Sequence, residues 1–112
     1  MYKKQQWAHA ENIAAHRLEN NGRSIIERNW TMRWWEIDII ASKGEFVVCV
    51  EVKSVVVVDD IMAYITDKKM WHLKRAFKTY LHLHPSDLQP RIDVIFIKDD
   101  AVRESYENVT GT

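Results

Sequence analysis

The stretch FVVCVEVKSVVVV, residues 46–58, limits the fold of this chain more than any other segment. Ten of its thirteen positions are Val, Phe or Cys, which reads as a strand buried on both faces. Glu51 and Lys53 interrupt the run two residues apart, so their side chains leave the strand on the same side. Charged groups inside such a strand need a partner or a metal ion.

A strand covered on both faces requires further layers, and the rest of the chain supplies them. QQWAHAENIAAHRLENNG reads as a first helix, with Ala10, Ile13, Ala14 and Leu18 near the helical period and Gly22 as its stop. RSIIERNW is a short strand, and WEIDIIAS, the turn KG and EFVVCVEVK form a β-hairpin. From Asp60 to about Leu83 the period lengthens, with Ile65, Lys69, Leu73, Ala76, Phe77 and Tyr80 in one inward stripe. HPSDLQP closes that helix, and RIDVIFIK is the last strand. A strand leading through a helix to another strand predicts a right-handed crossover and a parallel pair. The expectation is an α/β fold: one domain over residues 1–98 with a mixed sheet flanked by helices, and a loosely held polar tail at 99–112.

A two-residue turn at Lys43-Gly44 sets Glu36 opposite Glu51, Asp38 opposite Cys49 and Trp34 opposite Lys53; a four-residue loop from Ser42 to Glu45 keeps that register. One face then carries Ile37, Ile39, Ala41, Phe46, Val48, Val50 and Val52. The other gathers Glu36, Asp38, Glu51 and Lys53 at the end away from the turn. Like charges facing one another are destabilising unless a proton or cation intervenes. A hard divalent ion that takes carboxylate oxygens supplies that compensation. Ion pairing of Lys53 with Glu36 and Glu51 at a sheet edge is the plainer alternative.

Composition narrows the partners. Sixteen basic residues balance sixteen acidic ones, so a nucleic-acid role must rest on a local patch. No apolar run approaches a membrane span, and no signal-peptide core opens the chain. The single cysteine, Cys49, permits no internal disulfide and fits a reducing cytoplasm. The five histidines show no zinc-ligand grouping, and Arg91 beside Asp93 reads as a structural ion pair. Trp30, Trp34 and Trp35 read mainly as core or interface, although rings beside a phosphate site can also stack bases.

Asp38, a short hairpin and then Glu51-x-Lys53 resemble the PD-(D/E)XK nuclease core. The whole order AENIAAHRLENNG, IIERNW, WEIDIIA, VCVEVK, DKKMWHLKRAFKTYL and RIDVIFI resembles the small YraN-like bacterial proteins that carry that core. The resemblance spans about Ala10 to Lys98. It implies a restriction-endonuclease-like fold in which Asp38 and Glu51, with the carbonyl of Val52, ligate Mg²⁺ or Mn²⁺. Lys53 would orient the attacking water. Glu11 would hold a water of the metal site, with Glu36 and Lys69 in support. Arg33, Trp34 and Lys69 would contact nucleic acid.

Two positions depart from the family pattern. Trp35 replaces a glycine and is expected to narrow the approach, and SVVVV follows Lys53 where a polar residue and an arginine are usual. The implied activity is metal-dependent hydrolysis of phosphodiester bonds in DNA, branched or otherwise structured. A homodimer is the expectation from resolvase-like members. The alternative is a nucleic-acid-binding or scaffold module that keeps the site without turnover.

Overall fold

The computed structural model describes residues 2–33, 35–55 and 64–109, with side chains from residue 8 onward. The elements are helix α1 (Tyr2–Asn20), strands β1 (Ser24–Met32), β2 (Trp35–Lys43) and β3 (Phe46–Ser54), helix α2 (Asp67–Leu83), and strands β4 (Gln89–Lys98) and β5 (Ala101–Tyr106). The strands form one five-stranded sheet in the order β1-β2-β3-β4-β5. Every neighbouring pair is antiparallel except β3 with β4, which is parallel across the α2 connection. This is the single-domain α/β architecture with a mixed sheet that the sequence predicts. Among the described residues no helix is long and apolar enough to cross a membrane.

Alternation along β3 sends its side chains to two different helices. Val48 and Val50 pack with Ala10, Ala14, Ala15 and Leu18 of α1. Val47 and Cys49 pack with Leu73, Ala76, Phe77 and Tyr80 of α2. The alanines let α1 lie close on the sheet, and Gly22 (φ 81°) ends the helix, with the Arg23 N–H closing back on the Leu18 carbonyl at 2.9 Å. The α2 helix begins at Asp67 rather than Asp60. Thr66 caps it by accepting the Lys69 N–H at 3.1 Å. Ile65 therefore precedes the helix, and the expected first turns at 60–63 lie outside the described residues.

The hairpin register differs from the expected one by two residues. Lys43 pairs with Phe46 and Ile39 with Val50, which places the turn at Gly44-Glu45 with Gly44 at φ 57°. Continued one step, this register puts Asp38 rather than Glu36 opposite Glu51. A two-residue shift leaves each side chain on its own face. A second difference does not: Ile39 and Ala41 pack on the α1 side, whereas Ile37 packs on the α2 side. The facing of β2 reverses at Asp38, beside Asn29 of β1, which lies in the left-handed region at φ 55°. Asparagine adopts that region more readily than other side-chain-bearing residues.

The segment expected as a loose tail instead adds an edge strand. Asp99 and Asp100, both at positive φ, make the tight turn into β5, a conformation short polar side chains accept. Beyond β5, the Asn108 N–H donates to Asp93 Oδ1 at 2.9 Å and the Val109 N–H to the Ile92 carbonyl at 2.9 Å. Asp93 is buried, and Arg91 and Arg23 both reach it at 3.0 Å. The expected Arg91–Asp93 pair is thus part of a larger buried network that also holds Arg23.

Candidate metal centre

The paired ladder of β2 and β3 runs from Lys43–Phe46 to Ile39–Val50. Just beyond its end the Asp38 carboxylate enters, and the Val52 N–H donates to Asp38 Oδ2 at 2.8 Å. A side chain thus takes a donor that would otherwise serve the ladder, and it holds Asp38 at the mouth of the opening strands. The facing reversal in β2 brings Asp38 and Glu36 toward Glu11 of α1. One carboxylate oxygen from each of Glu11, Glu36 and Asp38 lies within 4.8 Å of the others. Asn29 steadies two of them. With its amide nitrogen turned inward it donates to Glu11 Oε1 at 2.6 Å and Glu36 Oε1 at 2.9 Å.

Glu51 arrives from the other strand, and its carboxyl is hydrogen-bonded to Asp38. Burial first, then this bond and the Asp38 charge, push the Glu51 pKa from 4.5 up to about 9, against the opposing pull of Lys53 and Lys69. Burial and the charges of Asp38 and Glu36 likewise raise Glu11 from 4.5 to about 7, with Arg28 acting the other way. Without a cation the site therefore retains protons at neutral pH. An all-oxygen donor set with crowded negative charge could hold a hard metal ion.

These groups open on a cleft of about 790 Å³ lined by Glu11, Glu36, Asp38, Glu51, Lys53 and Lys69, among others. The structure thus brings together Glu11, Glu36, Asp38, Glu51, Lys53 and Lys69. The compact trio is Glu11, Glu36 and Asp38, with Glu51 joined to it through Asp38, rather than an Asp38–Glu51 pair alone. Val52 also lines the cleft, where its N–H is the group that meets Asp38. Lys69 is solvent-exposed at the cleft rim instead of lying in the inward stripe.

Arg33 is exposed in the β1–β2 connection and is not among the cleft residues. Trp34 lies outside the described residues. Trp35 does not narrow the approach. Its ring stacks on His72 of α2, with centroids 4.9 Å apart, in the apolar layer away from the cleft. Arg28, one of the basic residues beside the motif that could face a nucleic-acid backbone, lines the cleft, and so does Asn29, which received no role from the sequence although it stands in the motif IIERNW. The signal for Asn29 was an asparagine inside a strand, where its propensity is poor.

Fold and site together define a small α/β protein with an oxygen-rich acidic centre, flanked by lysines, where two strands part. The model of the family described as "Uncharacterised protein family UPF0102" matches residues 10–97. A UPF0102 protein of Carboxydothermus hydrogenoformans is 37% identical over 111 residues, covering 94% of this chain and 92% of that one. One from Campylobacter fetus is 33% identical, covering 83% of each. One from Thermotoga maritima is 31% identical, covering 92% of this chain and 94% of its own. The chain belongs to the UPF0102 family, the group of small bacterial proteins that its YraN-like motifs indicate.

Proposed function

We propose that this protein is a metal-dependent endonuclease that hydrolyses phosphodiester bonds in DNA. The observation that carries the reading is the convergence of Glu11, Glu36, Asp38 and Glu51 with Lys53 in one cleft. Glu11, Glu36 and Asp38 would hold Mg²⁺ or Mn²⁺, with Glu51 completing the set on losing its proton. The ion would supply charge neutralisation at the phosphate and a lowered pKa for bound water. Lys53, half-buried beside Glu51, places an ammonium where negative charge grows on the phosphate and where water can be oriented. Lys69 holds a second positive charge at the cleft rim.

DNA as the polymer, its branched or structured form, and action as a homodimer are taken from the resemblance to resolvase-like nucleases. The apolar run after Lys53, in place of a basic residue, favours a second reading: a nucleic-acid-binding or scaffold module without turnover. Incubation of wild type and Lys53→Ala with linear, flapped and four-way DNA, in Mn²⁺ and in EDTA, separates the two. Cleavage that requires both Mn²⁺ and Lys53 is expected. Binding without cleavage of any substrate would leave the second reading.

A further inference from the structure

We infer that the outward face of α2 is a docking surface for the phosphate backbone of the nucleic acid whose scissile bond enters the cleft. The inference rests on the nuclease reading for the choice of polyanion. The helix carries Lys68, Lys69, Lys74, Arg75 and Lys78 against a single acid, Asp67, in a chain whose net charge is zero. Leu73, Ala76, Phe77 and Tyr80 bury the opposite side. Helical spacing therefore gathers Lys68, Lys74, Arg75 and Lys78 on the exposed side, with Trp71 among them.

Trp71 is 53% exposed, an uncommon placement for so large a ring. The Arg75 guanidinium sits over it, 4.8 Å from its centroid. This arrangement leaves an apolar surface beside a cation, suited to a sugar or base next to its phosphate. Lys69 lines the cleft from the first turn of the helix, next in sequence to Lys68 at the head of the row. From Lys69 to Lys78 the helix advances about 13 Å, the span of about four nucleotides along one strand of a duplex. The row thus begins one residue from a cleft lysine, and its charge suits a backbone leading away from the site.

The test is fluorescence anisotropy of a fluorescein-labelled DNA duplex in EDTA, titrated at several salt concentrations. The proteins compared are wild type, Lys74→Gln/Arg75→Gln/Lys78→Gln and Trp71→Ala. The triple variant should bind about tenfold or more weakly, with its log–log salt slope smaller by about 2–3, since each lost phosphate contact removes about 0.9. Trp71→Ala should weaken binding with the slope unchanged. Mn²⁺ binding should be the same in all three, which establishes that the fold and centre are intact. A triple variant with wild-type slope and affinity would overturn the inference while leaving the nuclease reading standing. Wild type that fails to bind the duplex would overturn it as well. Wild type that binds with the expected slope yet never cleaves would keep the surface and sink the nuclease reading.

Discussion

Replacing Glu51 with Gln should stabilise the metal-free protein. In the folded chain the Glu51 carboxyl is pushed from 4.5 to about 9 by burial and by Asp38, so at pH 7 it holds a proton that the unfolded chain releases. Holding that proton costs about 1.4 kcal/mol per unit across the ~2.5 units between the ordinary value and pH 7, or about 3 kcal/mol. Relaxation around the charged form reduces this, and a gain of about 1–3 kcal/mol is expected for Glu51→Gln, whose amide can still donate to Asp38. For a domain of this size that is a rise in Tm of about 4–13 °C.

The sign with pH follows from the same linkage. The folded state binds the extra proton, so wild-type stability falls as pH rises from about 4.5 toward 9. The advantage of Glu51→Gln should vanish near pH 4 and grow above it. Manganese should narrow the difference. Wild type gains about 2.7 kcal/mol at a hundredfold excess over Kd, and the variant gains less because it lacks the carboxylate. The assay is thermal unfolding by circular dichroism at pH 4, 7 and 8, in EDTA and in MnCl₂. A variant less stable than wild type at pH 7 in EDTA, by a margin independent of pH, would refute this reasoning. Glu51 would then be one half of a satisfied ion pair with Lys53.

Three further outcomes follow from named contacts. Asn29→Gly should keep the left-handed backbone and lose the two carboxylate contacts, whereas Asn29→Ala adds strain of about 1 kcal/mol, measurable as the difference between their urea midpoints. Asp93→Ala removes the buried carboxylate that Arg23 and Arg91 share and leaves them only the more exposed Glu107, so it should cost about 3 kcal/mol in chemical denaturation, an effect Mn²⁺ leaves in place. Glu11, raised to about 7, must lose its proton before it binds metal, so Mn²⁺ affinity should rise with pH through about 7 in isothermal titration. Glu11→Gln should flatten that rise.

The long elements were legible because one period governed each of them. Val47 to Val50 alternate between two helices, and Leu73, Ala76, Phe77 and Tyr80 mark one side of α2. The parallel β3–β4 pair followed from connectivity alone. What escaped notice depended on single backbone conformations. Nothing in the alternation of WEIDIIAS announces that Ile37 and Ile39 face opposite layers. That reversal depends on Asn29 in the left-handed region and on Asp38 taking the Val52 N–H. The β5 strand was hidden by its polarity. As an edge strand it needs few apolar residues, and only half-buried Val102 and Tyr106 are packed against the core.

Glu51 and Lys53 stand at the polar end of an apolar strand as expected, whereas Asp38, expected opposite Cys49, comes across from Glu51 instead. Glu36 was placed with them, but its approach to Glu11 was not legible, because it requires the packing distance between α1 and the sheet.

The central claim is that these carboxylates form a divalent-cation site built around Asp38. Its most direct test is electron paramagnetic resonance of Mn²⁺ titrated at pH 8 into wild type and into Asp38→Asn, which can still accept the Val52 N–H. Saturable loss of the free-ion signal with wild type, weakened about a hundredfold by the substitution, is the predicted result. Equal binding by both proteins, or binding by neither, would contradict it.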